Sequence, residues 1–192
     1  EVSDILDLNP QHTHTLPNPF SIFFSFDLPF IYSFVALFFY SFCENGILVI
    51  LPPFSTSDYP NSNAYERWAV YSMLITAPLG NALAHVCKVN FHLEISRFFP
   101  IISVAIMASW IVVAATASPF SSSQFAAVSV LLSFPIAKFV ISFAKTTELL
   151  HIHQEYEEGE LFHAVSRNCA FAMQFGACVG SVLFFILTTV TN

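Results

Sequence analysis

The run Cys43-Glu44-Asn45-Gly46 sets a carboxylate, an amide and a glycine inside a stretch otherwise built of Phe, Leu, Val and Ile. A charge near the centre of a bilayer costs from about 2.5 kcal/mol on insertion scales to far more in simulations. Such a residue faces a bundle interior or a watery cavity, and Glu44 there accepts hydrogen bonds from a hydroxyl or imide donor. Asn45 offers both a donor and an acceptor. Gly46 lets a ligand or a neighbouring helix come close. The competing role for the amide and the glycine is helix-packing glue, common between helices in lipid.

Other polar residues recur inside apolar runs. Pro78-Leu79-Gly80-Asn81 joins a helix breaker, a small residue and an amide, which reads either as a broken helix lining a cavity or as a simple packing kink. His85 lies one turn beyond Asn81 and is expected to be structural. Lys138 and Lys145 stand two helical turns apart on one face. Lys145 is close enough to a helix end to snorkel, whereas Lys138 is deeper and needs a partner, for which Glu44 is a candidate. Gln174 precedes Gly176 and Gly180, whose spacing marks a close helix contact. His151, His153 and His163 lie near several glutamates, but nothing fixes a ligand geometry, so no metal and no cofactor is expected. There is no nucleophile elbow, P-loop or metalloprotease motif, and the chain is not expected to be an enzyme.

These residues need a membrane scaffold. Only 10% of the chain is charged and 55% is hydrophobic, with a mean hydropathy of +0.66. Soluble domains carry roughly 25% charged residues, so the expected fold class is all-α, a polytopic membrane bundle of five transmembrane helices. The expected spans are about 29–51, 67–87, 98–117, 125–145 and 165–190, each near the roughly 20 residues a crossing needs. Barrel-type alternation is missing. Pro52-Pro53 through Asn63 reads as a turn, Ser118 to Ser123 as a tight reversal and Glu148 to Glu160 as a charged loop. Residues 1–28 read as a polar leader or linker, disordered on composition, and residues 29–192 as the bundle. Six basic residues cannot form a nucleic-acid footprint. Cys43, Cys87, Cys169 and Cys178 read as free packing thiols.

Lys88 and Arg97 flank the second loop, Lys145 and Arg167 the fourth. By the positive-inside rule both loops are expected to be cytoplasmic, which places the start of the segment inside and its end outside. An odd set of helices suggests the C-terminal half of a carrier whose first half precedes Glu1.

Short motifs in a consistent order carry a family resemblance over roughly residues 30–190. They are Asn45-Gly46 followed by Pro52, Ala77-Pro78-Leu79, Leu132-Ser133-Phe134, Ser142-Phe143-Ala144-Lys145, Leu149-Leu150-His151 and Met173-Gln174-Phe175-Gly176. Together they resemble the C-terminal half of the eukaryotic riboflavin (vitamin B2) transporters. The run Asn45 to Pro52 is also similar to the first helix of that family, except that Ile50 stands where that helix has an acid. Lys138 departs from an apolar position of the family, Glu44 is not a fixed family residue, and the acidic loop is longer.

The resemblance implies half of an eleven-helix carrier, related in architecture to major-facilitator-type and nucleoside transporters. It implies riboflavin as the transported substrate, a lipid bilayer as the setting and uptake across the plasma membrane by alternating access. The substrate-binding residues expected on this basis are Glu44, Asn45, Tyr40, Asn81, Lys138 and Gln174. Phe39, Phe42, Tyr71 and Phe175 join Tyr40 as stacking surface for the flat ring. A nucleoside or purine carrier is the alternative within transport, and a non-transporting structural bundle the alternative outside it.

Overall fold

The computed structural model describes residues 28–56, 61–87, 98–116, 124–156 and 160–191. Among the described residues every regular element is helical. The first rod is α1 (Leu28–Phe42), a π-helical turn (Cys43–Ile47) and α2 (Leu48–Thr56). Then come α3 (Ser62–Cys87), α4 (Phe99–Thr116), α5 (Gln124–Glu155) and α6 (Glu160–Thr191). The fold is therefore an all-helical membrane bundle of five rods. Phe30–Pro53, Ser62–Cys87 and Phe125–Glu155 are long and apolar enough to cross a bilayer, and Phe99–Val113 is a shorter apolar helix. The proposed leader lies almost wholly outside the described residues, as do the middle of the first loop and the Ser-rich reversal.

α3 packs along α5, and α1 with the π turn packs along α6, while α4 lies against α5 and α2. One stripe of each helix is buried and much of the exposed remainder is apolar, as lipid-facing helices require. In α4, Val104 and Ile111, two turns apart, are fully buried, while Ile102, Ile106 and Val113 are exposed. Tyr40, Leu37, Phe134 and Ile141 fill the centre.

Two expectations about breaks need correction, and a third point is decided between two readings. The turn expected from Pro52-Pro53 begins later, because α2 runs through both prolines to Thr56. The Ser55 and Thr56 hydroxyls donate to the Pro52 carbonyl at 3.4 and 2.8 Å, giving that carbonyl local donors at the helix end. Asn61, just before α3, lies in the left-handed region at φ 69°, where asparagine is tolerated. Its carbonyl accepts from the Ala64 and Tyr65 amides and opens α3. Of the two readings of Pro78, a broken helix or a packing kink, the broken helix is not seen, since α3 runs through it as a single helix with Pro78 on an exposed face. Lastly, most of the expected charged loop from Glu148 is helix. α5 continues to Glu155, Glu148 is fully buried, and His151 lies 3.7 Å from Glu155 one turn on. Residues four apart share one face of a helix, so this contact belongs to a continuing helix rather than to a loop.

Candidate functional site

The site grows from the π turn. An α-helix closes each turn on the fourth residue back, but here the Leu48 amide bonds to the Cys43 carbonyl, five residues back. Such widened turns occur mostly as single insertions and often at functional sites. Asn45 has a local reason to stand here. Its side-chain amide donates to the Ser41 carbonyl at 3.0 Å, the acceptor that its backbone amide would use in an α-helix.

The same turn aims Glu44 at α5. Lys138 Nζ donates to Glu44 Oε1 at 2.5 Å, and Lys145 Nζ donates to Oε2 at 2.7 Å. The two lysine backbones are separated by about 10.5 Å of helix rise, and long flexible side chains converge from both sides. The side chains of Glu44, Lys138 and Lys145 are 17, 18 and 26% exposed, so the triad is largely withdrawn from solvent. One carboxylate held by two ammonium groups leaves a local excess of one positive charge.

A cleft of about 340 Å³ opens on this triad. Leu48, Val49, Pro52 and Pro53 form one wall, and Val70, Met73 and Leu74 of α3 form the other. Glu44 and Lys138 reach its surface, and so does Glu66. The short α2–α3 connection makes the walls run in opposite senses. Glu66 therefore lies level with Pro52 and Pro53, and the ion pair lies about 12 Å deeper at 1.5 Å per residue. Mostly apolar walls, a few polar groups and this volume suit a small-molecule site.

The other expected site residues lie elsewhere. Asn81 Oδ1 accepts from Thr146 Oγ1 of α5 at 2.9 Å, so it bonds across helices rather than to His85, which is exposed. Tyr40 is fully buried in the core, and Gln174 is exposed on α6. Much of the expected stacking surface packs on itself. Phe175 stacks on Phe171 with ring centroids 5.8 Å apart and touches Phe38 at 5.6 Å, while Phe38 stacks on Phe42. Gly46 meets a helix rather than open space, for a Cβ built there would lie 2.9 Å from the Gly180 Cα.

Sequence reasoning missed Lys145 and Glu66 as members of this group. Lys145 needs no snorkelling, because Glu44 binds it. The signal was available in two cations on one face of an apolar helix with no acid on that helix between them. For Glu66 the signal was its spacing from Val70 and Met73 on one face of α3. Among the described residues no group of three possible metal ligands comes together.

A family model described as solute carrier family 52, riboflavin transporter, matches residues 11–192. The chain belongs to this family. No curated protein and no solved structure matches it. Membership of this family makes it a membrane transporter protein. The long apolar helices described above fit membership of a membrane carrier family.

Proposed function

We propose that this riboflavin transporter family member takes up riboflavin across the plasma membrane by alternating access, and that the cleft beside the π turn is part of the substrate path. The observation that carries this reading is the Glu44–Lys138–Lys145 triad at the floor of a mostly apolar cleft. Riboflavin has a flat ring with a polar edge and a hydroxylated chain. Apolar walls suit the ring, and the ion pair and Glu66 suit the polar ends. Glu44 and Lys138 are the substrate-binding residues of this reading. Asn45 and Asn81 support the site through Ser41 and Thr146, and Tyr40 and Gln174 lie outside the cleft in the arrangement described.

In this reading the chain forms the C-terminal half of the carrier and needs a first bundle to close the path. Loops two and four face the cytoplasm, so the mouth at Pro53 and Glu66 faces outward. Uptake of labelled riboflavin in cells tests the proposal. The full-length protein is expected to raise uptake, and the 192-residue segment alone is not. No uptake by the full-length protein would end the transport reading. Uptake by the segment alone would end the half-carrier reading. For orientation, single cysteines at Ser57 and Gln154 are treated with an impermeant thiol reagent on intact cells. Position 57 is expected to label and 154 to stay protected, and the reverse pattern would invert the topology.

A further inference from the structure

Glu44 is the obvious acceptor for the imide hydrogen of a flavin, yet its two oxygens each already hold an ammonium. Charge-assisted bonds of this kind are roughly twice as strong as neutral ones. Each oxygen keeps a second lone pair, but with its charge already met by two ammonium groups the carboxylate is a weaker acceptor for a neutral imide donor. Lys138 is placed differently. Its ammonium has three hydrogens and gives one to Glu44, and its side chain lines the cleft. The polar side chains described on the cleft surface are Glu44, Glu66 and Lys138, so Lys138 is the one side-chain donor among them.

The flavin edge matches a donor better than an acceptor. It presents acceptors at N1, O2, O4 and N5 and a single donor at N3. The pairs N1/O2 and O4/N5 each form a notch that one ammonium can fill without meeting N3. The hydroxylated chain is rich in donors, and the carboxylate at the opposite end of the cleft is Glu66. Both ends of the cleft therefore complement one orientation of the substrate, ring edge inward and chain outward.

We infer that Lys138 is the specificity-determining residue of this site, its ammonium selecting ligands by a hydrogen-bond-accepting ring edge, with Glu66 receiving the hydroxylated chain. This rests on the proposal that riboflavin is the substrate. Lys145 keeps Glu44 neutralised when Lys138 is changed, so Lys138 can be replaced without leaving an orphaned carboxylate.

The test is uptake of labelled riboflavin by cells expressing the full-length protein, normalised to surface amount. Lys138→Met is expected to raise KM by about tenfold, the usual scale for losing one hydrogen bond to a charged group. Lys138→Arg, which retains a donor, is expected to recover most of that loss. Flavins with sulfur in place of O2 or O4 serve as competitors. Whichever substitution weakens binding to the unaltered protein is expected to lose its effect in Lys138→Met. N3-methylriboflavin is expected to compete with the unaltered protein within about threefold of riboflavin, because no N3 hydrogen is read. This last arm needs no variant and stands even if Lys138→Met fails to fold. An unchanged KM in Lys138→Met, or failure of N3-methylriboflavin to compete, would overturn the inference while leaving riboflavin as substrate. Failure of the unaltered protein to take up riboflavin would instead remove the transport reading on which it rests.

Discussion

The π turn has two faces, and they are built on opposite principles. Toward α5 it presents Glu44, whose side chain meets two lysines and the floor of a cleft. Toward α6 it presents Gly46, where backbone meets backbone. A Cβ at Gly180 would lie 2.9 Å from the Phe42 carbonyl oxygen and 3.0 Å from the Gly46 amide nitrogen. A Cβ at Gly176 would collide with the Phe38 carbonyl oxygen. Long side chains hold helices apart and leave volume between them. Glycines remove volume and lock the helices together. Here one widened turn joins a close-packed wall to a wall that leaves a cleft.

The charged face should carry the larger single effect. Glu44→Gln leaves two ammonium groups without their carboxylate in a largely buried place. Removing one partner of a buried pair typically costs about 3–5 kcal/mol. Thermal unfolding of the full-length protein in detergent is expected to show that loss. Adding Lys138→Met should recover part of it, and adding Lys145→Met as well should recover most of the rest, because an apolar replacement of a whole ion cluster is often neutral. Riboflavin uptake should not return with stability in the triple variant. Equal stability of Glu44→Gln and the unaltered protein would mean that the triad is not a structural unit.

The glycine face comes next. Gly176→Ala puts a methyl group against a carbonyl on a neighbouring backbone, with no flexible side chain to yield. Overpacking of this kind usually costs about 1–3 kcal/mol. The expected result is a lower melting temperature, with the KM for riboflavin unchanged in the molecules that reach the surface. A shift in KM at normal stability would place Gly176 on the substrate path and dissolve the contrast between the two faces.

How much of this was legible beforehand follows from which interactions are local. The helical class was plain from apolar run length, since a bilayer admits few alternatives for a chain this apolar. The pairing of Lys138 with Glu44 was legible as well, because a deep cation needs an anion and the described spans offer few. The second partner, Lys145, was hidden by the end expected for its helix. With α5 ending near Lys145, snorkelling explains the residue, but with α5 continuing to Glu155 it cannot. That end was misjudged because polar composition after Glu148 was read as loop, although Glu148 and Ile152 are buried and their face continues the helix. Pro52 and Pro53 misled in the same way. A proline removes one backbone donor, but a long apolar helix has no better conformation in lipid and continues through it. Placing Asn81 and Gln174 needed the rotation of each helix about its own axis, which is set by packing against distant residues.

Asn81 provides the smallest effect and the finest test of where the packed wall ends. It follows Gly80, where α3 and α5 approach so closely that a Cβ would lie 2.8 Å from the Phe139 carbonyl oxygen. One residue on, Thr146 donates to Asn81 across that crossing. Asn81 is exposed and the cleft surface does not include it, so its hydrogen bond should act as a helix-to-helix tie. Ties of this kind in membrane helices average about 0.6 kcal/mol, because the separated helices find other partners. A double-mutant cycle of Asn81→Ala and Thr146→Val is expected to show a coupling of that size in unfolding free energy. Riboflavin KM should stay within about twofold of normal in both single variants, since 0.6 kcal/mol corresponds to less than a threefold change even if all of it were felt in binding. A KM rise of tenfold or more in Asn81→Ala, with no matching rise in Thr146→Val, would mean that the amide contacts the solute directly. The substrate path would then extend along α3 past Gly80, and the tight crossing there would be part of the moving wall rather than the fixed one.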